Sequence, residues 1–171
     1  MSGRVRRAAC LVFVAALACL PARAGEPAVP GKLTVAGEAG KAVSVSAGAW
    51  AKLPRAKVEV KGKGGKATTY EGVSLAEVLR LAGVSFAQHP RGRASAYVVV
   101  GGADGYRAVL ALAEVDPKVA GTVVLLADRS DGKPLPEGAG PCRLVVPGDK
   151  VPVRWVKQVV RVALHRHPEK K

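Results

Sequence analysis

The residue types best suited to chemistry in this 171-residue chain lie close together near its end. Lys150, Arg154 and Trp155 share the segment PGDKVPVRW. A guanidinium is a planar fork that matches phosphate oxygens, a lysine ammonium is a compact point charge, and an indole can line a flat heterocycle. Together they suit a flat, anionic ligand. A surface arginine beside a core tryptophan fits the same residues equally well, and the sequence leaves both readings open. Arg107, next to the Asp104-Gly105 turn, is a fourth candidate: it either holds an anion or pairs with Glu114 or Asp116.

The rest of the chemical inventory is sparse. His89, His165 and His167 fall in loop or tail segments, and the sequence contains no CxxC, no HExxH and no nucleophile–histidine–acid constellation. Chemistry would therefore have to come from a bound cofactor. The glycine-rich KGKGGK at 61–66 lacks the Walker spacing and has no long helix directly after it, so it reads as a hairpin loop. Cys142, between Pro141 and Arg143 at the entry to an apolar run, reads as a small buried hydrophobe. Glu77 is accounted for by a helix cap, and Asp104 by its own turn.

Positioning these groups falls to three apolar runs: VLALA at 109–113, TVVLLA at 122–127 and RLVVP at 143–147. Turn signals at Asp104-Gly105, Asp131-Gly132 and Pro147-Gly148-Asp149 punctuate them. Lengths of about 5–7 residues and β-branched enrichment favour strands. They are apolar at nearly every position, so both of their faces are expected to be covered. Further strands are expected at 33–35, 43–45, 58–60, 68–70, 96–100 and 159–164. Ser46 fits the N-cap of a short helix to residue 53, stopped by Pro54, with Trp50 turned into the core. Ser74-Leu75-Ala76-Glu77 is a capping box that starts a helix over 75–82, with Leu75, Val78, Leu79 and Ala82 on one face and Gly83 just past its end.

Read in order, DGYRAVLALAEVDP, LLADRSDGKPLPEGAGPCRLVVPGDK and RWVKQVVRV resemble the molybdopterin-binding domain of sulfite-oxidase-type oxidoreductases, in particular its small, secreted, stand-alone members. The resemblance runs over about residues 33–164. Its specific part is G-x-P-L-P followed by R-L-V-V-P-G and a basic-Trp pair. It implies an α+β fold of mixed, largely antiparallel sheets with short helices, built around a molybdenum–pterin cofactor. It places Arg154-Trp155 near the pterin and makes Lys150, Arg154, Trp155 and Arg107 the cofactor-binding candidates. In that family a cysteine follows the strand at 58–60, and its soft, anionic thiolate binds molybdenum. Here Lys61-Gly62-Lys63-Gly64-Gly65 follow instead, with no cysteine, serine or histidine. The resemblance thus implies a secreted molybdopterin-dependent oxidoreductase-like domain without metal-centred catalysis. The alternative is a non-catalytic periplasmic binding or accessory domain for an anionic ligand or a protein partner.

The start of the chain reads as a secretion signal over 1–24. Arg4, Arg6 and Arg7 precede an apolar run at 8–20, and Pro21-Ala22-Arg23-Ala24 ends it. That run falls in the range of about 7–15 residues typical of such signals and is short of the roughly 20 needed to span a bilayer. Residues 25–31 read as a short linker, 32–164 as one domain and 165–171 as a polar tail. The chain has 27 basic and 13 acidic residues; four arginines and no acid lie in 1–24, which leaves a net charge of +10 on the remainder. Cys142 is then the one cysteine left, so no internal disulfide is possible. Aromatic residues make up 4% of the chain and no nucleic-acid motif is present, so the positive charge is assigned to an anionic ligand, a phosphate-bearing cofactor or a membrane surface, not to nucleic acid. The exported protein is expected to start at Gly25. Intact-mass measurement checks this, and retention of Met1 or a lipid on Cys19 would contradict it.

Overall fold

A computed structural model describes residues 33–37, 41–62, 65–86 and 95–166. The expected signal and linker, the loop around His89 and the end of the tail lie outside the described residues. Ten strands and three short helices follow in the order β1 (Thr34–Ala36), β2 (Ala42–Ser44), α1 (Ala47–Ala51), β3 (Arg55–Lys61), β4 (Ala67–Ser74), α2 (Leu75–Leu81), β5 (Ala96–Gly102), β6 (Arg107–Ala111), α3 (Leu112–Val115), β7 (Leu125–Ser130), β8 (Lys133–Pro134), β9 (Arg143–Val145) and β10 (Val159–Arg166) among the described residues. One sheet has the order β2-β1-β10-β5-β6; the other has β3-β4-β7-β8, with β9 also on β7. Only β1–β10 is a parallel pair among the described residues. The mixed, largely antiparallel α+β fold is therefore the one implied by the resemblance.

Alternation decides which faces pack. The inner positions of the first sheet, such as Val35, Val98, Val100, Leu110 and Val162, join Leu75, Val78 and Leu79 of α2 in the main core. In β7 successive leucines face opposite ways: Leu126, beside Leu144, belongs to the main core, while Leu125, beside Val145, belongs to a second cluster with Ala127. Each fully buried leucine contributes about 1.5–3 kcal/mol by leaving water. The second cluster is flanked by Val58, Val60, Tyr70 and Trp155. The second sheet is thus packed on both faces at β7. Gly72 allows this: a Cβ there would lie 2.0 Å from the Leu126 carbonyl oxygen, where β4 shifts register against β7.

Several boundaries differ from the sequence expectation. VLALA splits, with Val109 to Ala111 ending β6 and Leu112 and Ala113 starting α3, whose first backbone donor (Ala111 N–H) binds Glu114 Oε2 at 2.9 Å. TVVLLA is strand only from Leu125, and RLVVP only through Val145. Full coverage holds for the start of β7 but not for β6, where Val109 is 54% exposed, because β6 is an edge strand with one packed face. β10 runs on through His165 and Arg166, into the expected tail. At α2, Ser74 Oγ accepts from the Glu77 N–H as expected, but the Glu77 carboxylate goes to Arg80.

Asp116 and Asp128 are both fully buried among the described residues, and Asp128 is clamped by side chains from two other elements. Asp128 on β7 is fully buried; Arg55 donates to its two oxygens at 2.7 and 2.5 Å, and Trp50 Nε1 donates at 2.8 Å. A charge-assisted fork plus an indole donor satisfies a group that would be costly to bury alone. The clamp ties α1, the start of β3 and the middle of β7 together. Cys142 is also fully buried in the main core, and burial, with the Asp128 charge nearby, pushes its thiol well above the ordinary value of 9.0. Above that value the unfolded chain loses this proton while the folded chain keeps it. Stability is therefore expected to fall by about 1.4 kcal/mol per pH unit above pH ~9, on top of other titrations. Urea titrations of the wild type and Cys142→Ala at pH 8 and 10 check this. The substitution should remove the extra slope at a cost of about 1 kcal/mol or a little more, and equal slopes would contradict the burial account.

Candidate functional site

A cleft of ≈ 440 Å³ opens beside the second cluster. That volume lies within the few hundred to about 1,000 Å³ usual for small-molecule sites. One wall comes from the end of β3 and its hairpin, with Val60, Lys61 and Gly62, and from Thr68 and Tyr70 of β4. Gly62 N–H binds the Lys66 carbonyl at 2.9 Å across the two sides of the expected hairpin, whose tip at Lys63 and Gly64 lies outside the described residues. The other wall comes from Arg143 at the start of β9 and from the turn after it, with Asp149, Lys150, Val151, Pro152 and Trp155. Val146 and Asp149 close that turn by a backbone bond, and Leu144 N–H to the Val156 carbonyl brings Trp155 back against β9.

Aromatic groups form the apolar wall. Trp155 meets Tyr70 edge to face at 5.5 Å, and the Arg143 guanidinium lies over the indole at 5.2 Å. Trp155 Nε1 donates to the Val146 carbonyl at 3.1 Å, which fixes the ring. Arg143 is the least satisfied group here: its Nε is buried with no hydrogen-bond partner. An arginine stacked on a tryptophan with free N–H groups is a pre-oriented anion receptor. Lys61, Arg143 and Lys150 set three cations around the cleft. The single carboxylate, Asp149, is already bound by Arg154.

The four sequence candidates are therefore divided. Lys150 and Trp155 line the cleft. Arg154 does not: it faces a neighbouring hollow and binds Asp149 at 2.6 and 3.1 Å and Glu114 at 3.0 and 3.2 Å. Its pKa is raised mainly by the bond to Asp149. Arg154 thus orients the turn and masks the Asp149 charge. Arg107 lies on the outer face of the other sheet, away from the cleft, and makes no ion pair among the described residues; Glu114 is with Arg154 instead. Asp104 accepts from the Tyr106 N–H, as its turn requires. Asp131 accepts from the Thr69 N–H, and Arg129 reaches the Gly132 carbonyl.

Sequence reasoning missed Arg143 and Tyr70 as cleft residues, whereas Lys61 lies in the basic loop that the sequence already offers to an anionic group. Arg143 was visible as the polar start of an apolar strand, but nothing local showed that it would stack on Trp155. The family model for the oxidoreductase molybdopterin binding domain matches residues 32–171. The chain belongs to that family. Among solved structures, this domain is similar to the sulfane dehydrogenase SoxCD from Paracoccus pantotrophus, with a TM-score of 0.60 and 24% identity over 78% of this chain and 38% of that one. At that identity the likeness shows the fold, and this domain spans well under half of the longer chain. No curated protein sequence matches.

The family implies a molybdenum–pterin group, and the cleft meets its two parts differently. The segment after β3, where the resemblance would place a thiolate, lines the cleft with Lys61 and Gly62. Cys142, the one cysteine among the described residues, is in the main core and does not line the cleft. No cluster of three or more histidine, cysteine or carboxylate groups suited to a metal occurs among the described residues. This donor set does not fit molybdenum held by a protein thiolate. Three cations and an aromatic wall do fit an anionic, flat organic group. With inorganic pyrophosphate as probe, Arg143→Ala is expected to weaken binding about ten-fold, or about 1.4 kcal/mol. Arg154→Ala should weaken it less while lowering stability by roughly 1–2 kcal/mol, and Lys57→Ala should change nothing. Calorimetry at two salt concentrations checks this; equal effects of Arg143→Ala and Lys57→Ala would contradict the assignment.

Proposed function

We propose that this chain is an exported member of the molybdopterin-binding family that has kept the fold and an anion-binding cleft but performs no metal-centred redox chemistry. The observation behind this reading is the cleft's donor set: lysine and glycine stand where the family's thiolate would be, and Lys61, Arg143 and Lys150 face the same space as Tyr70 and Trp155. Protonated amines and guanidinium groups repel a metal cation and attract phosphate oxygens. An aromatic wall favours a flat ring over a bare inorganic anion. The ligand is therefore a phosphate- or carboxylate-bearing heterocycle, of which the family's pterin is one. The protein acts as a binding or accessory domain outside the cytoplasm.

Protein purified from its native host, assayed in parallel for molybdenum and for released pterin, tests this. Pterin without metal is the expected result, with retention that weakens as salt rises. Stoichiometric molybdenum would overturn the reading.

A further inference from the structure

A second surface, on the other sheet, has the composition of a contact face. The sheet β2-β1-β10-β5-β6 packs one face on the core and, among the described residues, leaves most of the other exposed, apart from the small, buried Ala163. None of its five strands contains an acidic residue. On the open face, register places Arg161, Gly101 and Arg107 side by side on β10, β5 and β6. Gly101 leaves the backbone bare between the two arginine stems: a Cβ there would meet Arg161 Cβ at 3.9 Å and Arg107 Cγ at 4.0 Å. Neither arginine makes an ion pair among the described residues.

The next row is apolar, with Ala36, Ala163, Val99 and Val109 in register across four strands. Beyond it Tyr97 stacks on His165 at 5.3 Å. Tyr97 and Val109 are 39% and 54% exposed. A basic edge, an apolar middle and an exposed tyrosine are the composition of a protein contact face, in which arginine and tyrosine are enriched. A nucleic acid or a sulfated glycan would gain nothing from the apolar row. A second copy would set Arg107 and Arg161 against like charges, which costs energy without a compensating acid.

We propose that this open sheet face docks an acidic partner protein, whose carboxylates enter between Arg107 and Arg161 while apolar side chains cover Val99 and Val109. Four inter-strand spacings of about 4.8 Å and five residues along β10 make the patch about 19 by 13 Å. That is well below the roughly 800 Å² per partner of a standard stable interface, so the contact is transient. It is independent of the cleft and of any cofactor.

The test is in vivo photocrosslinking of the full chain in its native host, with p-benzoylphenylalanine in place of Val109 or, as control, of exposed Glu59 on the other sheet. The expected result is one discrete adduct at Val109 and none at Glu59. Its partner should have a net negative charge, and its yield should fall about ten-fold or more, about 1.4 kcal/mol in affinity, in Arg107→Glu/Arg161→Glu. Arg107→Lys/Arg161→Lys should keep most of it, and unchanged thermal unfolding in both variants separates docking from folding. A self-adduct of doubled mass, an adduct with glycan or nucleic acid, an adduct indifferent to charge reversal, or no adduct at all would overturn the proposal.

Discussion

The rest of this structure depends on how one buried carboxylate is held. Asp128 lies in the middle of β7 with no exposure to water, and a charge there is tolerated only because Arg55 and Trp50 supply three donors. Those donors come from the start of β3 and from α1. Holding the start of β3 fixes its seven-residue register against β4. That register carries Val60, Lys61 and Gly62 to the cleft at the far end. A polar contact in the interior thus determines where the cleft's basic wall stands.

The cleft itself follows from side-chain economy within a short turn. Arg154 holds two carboxylates, so Asp149 contributes little free negative charge to the space it lines. Arg143 is left to stack on Trp155 with an unmet donor. The result is a basic, half-aromatic hollow whose described lining contains no cysteine. Apolar burial and the Asp128 clamp hold the described fold together through groups of the chain itself.

Much of the fold was legible in the sequence because its signals are local. Ser46 and Ser74 act as caps with Oγ accepting at 3.2 Å, Gly83 has a positive φ just after α2, and β3 and β4 pair antiparallel on either side of the glycine-rich segment. Trp50 was legible as core. Its indole partner was not, because Asp128 is 78 positions away and sits inside a run that reads as an ordinary strand end. The VLALA run failed as a strand because apolar periodicity cannot separate a strand end from one helical turn in so few residues. In the site, Trp155 and Lys150 were recognisable from the turn that carries them. Arg154 and Arg143 were not separable by type: which of two arginines faces a ligand and which is held by carboxylates is set by Asp149 and Glu114, one of them 40 positions away.

The clamp gives the account its sharpest test, because its two ends are unequal. The Arg55 side chain is 36% exposed and Asp128 is fully buried. Losing Arg55 strands a carboxylate without its cation; losing both removes the charge altogether. Equilibrium urea unfolding of Arg55→Ala, Asp128→Leu and the double variant measures this directly. Arg55→Ala is predicted to cost about 3–5 kcal/mol, as breaking a buried pair does, and the double variant to be more stable than Arg55→Ala alone. A cost below about 1 kcal/mol for Arg55→Ala, or a double variant less stable than that single one, would contradict the claim that this carboxylate organises the fold.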